Sequence, residues 1–175
     1  WSCTPLIHYG FNLEASWKNF DIYALLQGAG MYTVQFSEVY AEVLWSKGAN
    51  TPAYFYDRWR KEDPYNPNSK WVAGKWPATR LIQDTGAMYK ESNIWRRDAS
   101  YLRLKTLELG YTLPDSILRK SGISNIRFYI NGYNLLTFCD SFVKAFDPEK
   151  VEGSYSAGMN YPLTKSFNIG FTANF

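Results

Sequence analysis

The stretch IHYGFNLEASW, residues Ile7–Trp17, alternates apolar and polar side chains without interruption. Every odd-numbered position is apolar or aromatic, whereas every even-numbered position is polar or glycine. Alternation with a period of two over 11 residues predicts a β-strand with one apolar face and one polar face. The pattern resumes over residues 20–28 after Lys18-Asn19, which predicts a second strand joined to the first by a tight turn.

Three later segments show the same alternation: residues 100–113, 125–138 and 165–175. The first of them slips once, because Leu104 and Leu107 fall on opposite parities. A β-bulge near Thr106 would account for the slip, and so would a strand that leaves a membrane at that height. The sequence thus predicts five strands of roughly ten residues each, a length typical of strands that cross a bilayer.

The connections between these strands alternate in length. Lys18-Asn19 and residues 114–125 are short, whereas residues 31–99 and 139–162 are long and lack convincing strand patterns. We expect short helices in these connections. The predicted segments are an amphipathic helix over 33–47, a helix starting at Thr51-Pro52, and one turn between Pro114 and Gly122. Bacterial outer-membrane barrels show this asymmetry, with short turns on the periplasmic side and long loops outside.

The two faces of the strands favour a membrane wall. Glu14, Asp21, Glu108 and Arg127 fall on the polar face, where a wet barrel lumen tolerates charge far better than lipid does. Aromatic residues flank both short turns, as an interfacial girdle requires: Trp17, Phe20, Tyr111 and Phe128. We therefore predict an all-β fold, an antiparallel transmembrane β-barrel to which this chain contributes five strands.

Alternation alone also fits other classes of protein. A soluble, aromatic-rich β-sandwich that binds carbohydrate has the same period, and a smaller outer-membrane barrel that acts as an enzyme or adhesin is a third hypothesis. The sandwich requires four side chains to be buried together in one compact interior: Leu13, Leu109, Phe167 and Phe171. A barrel wall leaves all four facing lipid.

Composition excludes several functions. Aromatic residues make up 18% of the chain, with 14 Tyr, and the net charge of +3 does not point to nucleic acid. There is no run of 18 apolar residues, which excludes a transmembrane helix but not a membrane crossed by strands. No nucleophile–base pair, phosphate loop or metal-ligand spacing is present, so we predict no catalytic residue, metal or cofactor.

Two motifs carry a resemblance to a known family. Residues 97–105 read RDASYLRLK and residues 109–114 read LGYTLP; further on, residues 134–138 read NLLTF. Together with the WKNFD hairpin at residues 17–21, they resemble the C-terminal part of SusC/RagA-like TonB-dependent transporters. The match is specific from Arg97 onward and loose over residues 31–96.

The resemblance implies a 22-stranded barrel in the outer membrane of a Gram-negative cell, with an N-terminal plug that couples to TonB. This chain would supply the last five strands, and the plug and the remaining strands lie outside it. In this family, a SusD-like lipoprotein is the partner that forms a lid over the barrel. The substrates of the family are glycans or, in some members, peptides. The final strand, with Phe171 and the terminal Phe175, resembles the signal that the barrel-assembly machinery recognises.

An aromatic cluster in the first long loop is the candidate contact site, and it comprises Tyr54, Tyr56, Trp59, Tyr65, Trp71 and Trp76. Arg58, Arg60 and Lys61 lie beside it. Aromatic faces stack on sugars and anchor protein interfaces, so contact with the lid or with substrate is possible, but internal packing of a large loop explains the cluster equally well.

Three further side chains carry weaker hypotheses. His8 falls on the polar face, where a hydrogen-bonding wall residue is a better interpretation than a ligand. Asp147, Glu149 and Glu152 could gather around Ca²⁺, although a solvated acidic turn is the simpler expectation. Cys3 and Cys139 should lie three strands apart, roughly 14 Å. A disulfide needs Cα atoms within about 7 Å, so a bond would require the segment before Ile7 to bend toward Cys139.

Overall fold

The computed structural model describes residues 2–36, 51–79, 92–119, 122–150 and 160–175. Its main element is one antiparallel sheet of five long strands. They are β1 Ile7–Trp17, β2 Phe20–Gly30, β7 Tyr101–Thr112, β8 Asn125–Phe138 and β9 Ser166–Asn174. Their order across the sheet is β1-β2-β7-β8-β9. Each strand end lies within two residues of the end predicted from alternation.

Shorter elements lie in the connections. Two small sheets pair β3 Thr33–Gln35 with β6 Arg96–Asp98, and β4 Arg60–Lys61 with β5 Trp71–Val72. The described residues form a 3₁₀ helix at Ala53–Asp57, α1 Asp115–Leu118, α2 Ser141–Lys144 and a 3₁₀ turn at Pro148–Lys150. None of the described helices is long and apolar enough to cross a bilayer.

The short elements correct parts of the sequence prediction. The expected helix over 33–47 is wrong at its start, because residues Thr33–Gln35 form a strand, and the part beyond Phe36 lies outside the described residues. The helix expected at Thr51-Pro52 exists as the 3₁₀ helix that Pro52 precedes. Pro114 caps α1, which ends at Leu118, before the predicted stop at Gly122.

A bulge in β7 explains the slip in the sequence alternation. The register between β7 and β8 shifts between Leu104 and Thr106, and the register with β2 shifts at the same height. On either side of the shift Leu104 pairs with Leu26, and Leu107 pairs with Ala24. Since Leu26 and Ala24 share one face of β2, the bulge returns all the β7 leucines to that same apolar face.

The apolar face of the sheet is uncovered. Phe167 is 70% exposed, Phe171 68%, Leu13 59% and Leu109 47%, and no second layer of described residues packs on them. A soluble β-sandwich would bury these four side chains, so the sandwich hypothesis is wrong for the described residues. Strand β1 has 11 residues; at about 3.4 Å per residue and a tilt of about 40° it rises roughly 26 Å, close to the height of a barrel's apolar band.

An aromatic row crosses the whole apolar face beside the short turns. The register places Trp17 opposite Phe20, Phe20 opposite Tyr111, Tyr111 opposite Phe128, and Phe128 opposite Phe171. The rings of Phe20 and Tyr111 are 4.7 Å apart between centroids, and those of Phe128 and Phe171 are 6.2 Å apart. One aromatic side chain from each of five strands at one height is the arrangement of an interfacial girdle.

Candidate functional site

Both long loops contribute to one small hydrophobic core above the sheet, which we call the cap core. Its buried members are Ala29, Tyr32, Val34, Phe36, Phe55, Trp76, Trp95, Ala99, Tyr101 and Val143. Trp76 stacks on Trp95 with 5.3 Å between ring centroids, and Phe142 of α2 meets Phe36 edge-on at 4.9 Å. Because residues from the 31–99 loop and from the 139–162 loop interlock here, the described parts of the two loops fold as one cap.

The RDASYLRLK motif joins this cap to the sheet. The guanidinium carbon of Arg97 lies 5.3 Å from the Phe142 ring centroid and 5.7 Å from that of Trp76. The carboxylate of Asp98 accepts a hydrogen bond from the backbone N–H of Ser100, and Ala99 is fully buried in the cap core. A larger side chain at residue 99 would have no space, since the cap core already closes over it.

A charge cluster holds the second loop to the outer end of β7. Arg103 donates to Asp147 at 2.6 Å and to Glu149 at 2.8 Å, and Lys105 donates to Glu149 at 2.7 Å. The Arg103 Nε also donates to the hydroxyl of Thr137 on β8. Every charged group of this cluster has an opposite partner, which is the condition for burying charge at tolerable cost.

Asp147 corrects the expectation of a solvated acidic turn. Its side chain is 4% exposed and accepts hydrogen bonds from Arg103 and from the backbone N–H groups of Glu149 and Leu163. Asp147 and Glu149 therefore bind protein cations, and the hypothesis that they gather around Ca²⁺ is not supported. Glu152 lies outside the described residues.

The six aromatic residues predicted as a contact site divide into two groups. Trp76 is buried in the cap core and Tyr54 packs against it, with 4.8 Å between their ring centroids. The remaining four are exposed at the surface: Tyr56, Trp59, Tyr65 and Trp71. The structure therefore places Tyr54 and Trp76 in internal packing and leaves the other four available for contact.

A hairpin formed by residues 58–76 presents most of these exposed rings, and we call it the aromatic hairpin. Lys61 pairs with Trp71 across its two strands, and the Lys61 ammonium lies 4.7 Å from the Trp71 ring centroid. The base is fixed to the cap because the Trp59 N–H donates to the Trp76 carbonyl at 2.8 Å. A surface of Trp rings and cations on a firm base can bind an acidic or aromatic protein surface, or a sugar.

The polar face of the sheet carries a second cluster, near the short turns. Arg127 donates to both Asp21 and Glu108, the Asn131 amide donates to Glu108, and the Asn168 amide donates to Asn131. These side chains come from β2, β7, β8 and β9 and bridge four neighbouring strands. The carboxylates and guanidinium are a quarter to a third exposed, so water screens their attraction.

The remaining residues singled out from the sequence are the two phenylalanines of the last strand, His8 and the two cysteines. Phe171 belongs to the aromatic row, and Phe175, 90% exposed, follows the end of β9 on the short-turn side. His8 is exposed on the polar face, in register with Ala29. Cys3 and Cys139 are both free thiols.

Sequence reasoning missed the role of Arg103 and the importance of Asp147. A signal was present, since Arg103 and Lys105 are the only cations of β7 and Asp147 and Glu149 follow β8 with matching spacing. Nothing in the sequence, however, showed that Arg103 meets Asp147, or that Lys105 meets Glu149, across 44 residues.

Comparison with known proteins supports a membrane wall. Two curated relatives from Formosa agariphila, TonB-dependent receptor P3 and TonB-dependent receptor P26, are 32% and 28% identical to this chain over 98% of its length. The chain spans 16% and 17% of the length of these relatives. No family model matches the chain.

Solved structures give the same result. The RagAB peptide importer in its open-open state matches 99% of this chain with 26% identity and a TM-score of 0.69. Its closed-closed state matches 97% with 27% identity and a TM-score of 0.71. The chain covers 18% and 17% of those chains.

The five-stranded sheet, with an uncovered apolar face, an aromatic girdle and a hydrogen-bonded polar face, is part of the wall of a transmembrane β-barrel in the outer membrane. The chain is a relative of the TonB-dependent receptors, of the SusC/RagA-like type, and the resemblance noted in its motifs is confirmed. Its relatives are receptors and transporters rather than enzymes.

Proposed function

We propose that this chain is the C-terminal barrel-wall segment of a TonB-dependent importer that takes up glycans or peptides. The observation that carries the proposal is the pairing of a lipid-facing apolar surface with a continuous polar network on the opposite side. A wall with these two sides separates lipid from a wet lumen through which a polar nutrient can pass. The match to a peptide importer along nearly the whole chain supports the same function.

The proposal is tested by uptake in cells. Deleting the gene of the full-length protein should abolish growth on one class of oligomeric nutrient, and inactivating TonB should have the same effect. Supplying defined glycans in one arm and peptides in the other identifies the substrate class. Normal growth on both classes after deletion, or growth that does not depend on TonB, would contradict the proposal.

The aromatic hairpin is the proposed contact for a SusD-like lipoprotein lid. Four observations support this role: the hairpin lies at the long-loop end of the sheet, its rings are exposed, three cations flank them, and its base is anchored in the cap core. Exposed Trp side chains beside Arg or Lys are typical of the residues that dominate protein interfaces. Trp59 and Trp71 of the hairpin, with Tyr56 in the 3₁₀ helix just before it, are the residues we expect at the centre of the contact.

Co-purification of the lipoprotein lid with the importer distinguishes a contact role of the hairpin's aromatic rings from a packing role. In the full-length importer, Trp71→Ala combined with Trp59→Ala should reduce co-purification of the lipoprotein about tenfold or more, while the thermal stability of the importer stays unchanged. Tyr161→Ala is the control, because Tyr161 is an aromatic residue that is even more exposed than Trp59 and Trp71 and lies outside the hairpin. Undiminished capture by the double variant, or equal loss in the control, would remove the hairpin from the lid contact.

The terminal strand is the proposed assembly signal. Phe171 and Phe175 both lie toward the short-turn end of the sheet, and Phe175 is open to a partner. Deleting Phe175 from the full-length protein should lower its outer-membrane level, as measured on isolated membranes. Unchanged levels would contradict this role.

A further inference from the structure

A notch opens beside the outer half of β8, because β8 continues farther than its neighbour β9. The pairing of β8 with β9 ends at Tyr133 and Ser166, whereas β8 extends to Phe138. The segment just before β9 borders the notch on its far side, and the Asn134 amide donates to the Thr164 carbonyl at 3.1 Å across its inner end. The notch has a volume of about 260 Å³.

Among the described residues, the charge around the notch is positive and partly uncompensated. Its lining includes Arg103, Lys144, Lys165 and a single acid, Asp147, for a net charge of +2. Arg103 is already bound to Asp147. Neither Lys144 nor Lys165 forms an ion pair with a carboxylate among the described residues, and both are exposed. The two ammonium groups are therefore available to an anion.

The notch also meets the lipid-facing surface. Leu136 and Phe138, which line it, lie on the apolar face and are 51% and 61% exposed. Lys165 directly precedes β9, where a lysine at the membrane boundary extends its ammonium toward the headgroup layer. An anion bound here would thus lie beside exposed apolar side chains that an acyl chain can cover.

We propose that this notch binds the phosphate group of an outer-leaflet glycolipid, with Lys144 and Lys165 donating to the phosphate and the acyl chains lying on Leu136 and Phe138. A free phosphate ion would use the two lysines but would gain nothing from the apolar residues. The combination of cations and exposed apolar side chains in one notch therefore favours a lipid. The proposal depends on the sheet being a membrane wall, and it is independent of what the full-length protein imports.

Lipid retention by the full-length protein in detergent tests the site. The probes are diphosphorylated lipid A, its dephosphorylated form and inorganic phosphate, with bound lipid counted by native mass spectrometry. Lys144→Gln combined with Lys165→Gln should weaken retention of diphosphorylated lipid A about tenfold and leave the dephosphorylated form unchanged. Millimolar inorganic phosphate should compete poorly. Nutrient uptake should be unaffected, so failure here is distinct from failure of the importer proposal.

Matched variants keep the result decisive. Lys70→Gln combined with Lys75→Gln removes the same charge from exposed lysines of the aromatic hairpin, and it should retain lipid A normally. Lys144→Arg with Lys165→Arg should retain it as well, and this pair serves if the glutamine variant fails to fold. Equal loss in the hairpin control, no loss in the notch variant, or displacement of the lipid by inorganic phosphate at low concentration would each overturn the proposal.

Discussion

Arg103 and Asp147 lie 44 residues apart in the sequence and form a buried ion pair, with 2.6 Å between Nη2 and Oδ1 and 4% exposure of each side chain. This contact joins strand β7 to the turn that begins the 3₁₀ segment Pro148–Lys150. Asp147 also accepts from the Leu163 N–H, so one carboxylate fixes three segments of chain. Asp147 therefore helps to hold the second loop on the sheet, together with Glu149 and the residues of α2 that pack in the cap core.

Replacing that acid should loosen the loop while the barrel strands stay folded. Removal of one partner from a buried pair costs about 3–5 kcal/mol when the other charge is left uncompensated, and we expect a smaller cost here because Arg103 keeps its ion pair with Glu149. We expect Asp147→Ala in the full-length protein to expose the 139–162 loop to limited proteolysis and to lower the temperature of thermal unfolding. Lys105→Gln breaks a pair that is a quarter exposed and should cost about 1 kcal/mol or less. Protease resistance equal to that of the unchanged protein would show that Asp147 does not hold the loop.

Gly28 is required because two groups occupy the space that a side chain would need. The ring of Tyr9, its partner in the register, lies across Gly28, and the Tyr9 hydroxyl donates to the Tyr101 carbonyl at 2.7 Å. A Cβ at residue 28 would collide with both the Tyr9 ring and the Tyr101 carbonyl oxygen. Tyr129 covers Gly170 in a similar way in the β8–β9 pair, at the other edge of the sheet.

Gly28→Ala should therefore destabilise the outer half of the sheet by about 1–3 kcal/mol, the usual cost of overpacking. The fraction of full-length protein that keeps its folded mobility on semi-native gels after mild heating measures this change. Gly10→Ala is the control in the adjacent strand, since its Cβ would meet nothing closer than the Leu26 carbonyl oxygen at 3.7 Å. Equal behaviour of the two variants would show that the Tyr9 ring moves aside freely.

The two free thiols should differ in reactivity. Burial raises the pKa of the Cys139 thiol above its ordinary value, whereas Cys3 is exposed. Because the thiolate is the reactive form, a raised pKa lowers its concentration at pH 8 and slows alkylation. We expect maleimide to label Cys3 first and Cys139 at a similar rate only after unfolding, as read by mass spectrometry of peptides. Rapid labelling of Cys139 in the folded protein would contradict the packing of this residue.

The long strands were predictable from the sequence because alternation is a local signal. Each position along Ile7–Trp17 reports its own face, and the slip at Thr106 even marked the bulge. The loops were not predictable in the same way. Strand β3 forms because Thr33 pairs with Asp98, 65 residues away, and nothing near Thr33 indicates that partner.

The surroundings of the side chains in the candidate site could not be predicted from the sequence for the same reason. The sequence identified an aromatic cluster but could not separate Trp76, which stacks on Trp95, from Trp71, which faces outward. The assignment depends on how the two loops interlock. Asp147 was expected in water for the same reason, since its burial comes from Arg103 on a distant strand.

Neighbouring residues Asn12 and Leu13 provide the sharpest test of which side of the sheet touches lipid. They lie in the middle of β1 and point to opposite faces, Asn12 with the polar side chains and Leu13 with the apolar ones. Both are exposed in this structure.

If both sides of the sheet met water, lysine would be tolerated equally at residues 12 and 13. Against lipid, a lysine near the bilayer midplane costs about 2–4 kcal/mol, whereas a lumen-facing lysine stays hydrated. We therefore expect Leu13→Lys to reduce the amount of folded full-length protein in outer membranes severalfold and Asn12→Lys to leave it near normal. The amount is measured by immunoblot of unheated and heated membrane samples. If Asn12→Lys fails to fold while Leu13→Lys folds, the lipid-facing and lumen-facing sides are assigned the wrong way round. If both variants fold equally well, the sheet is not a membrane wall.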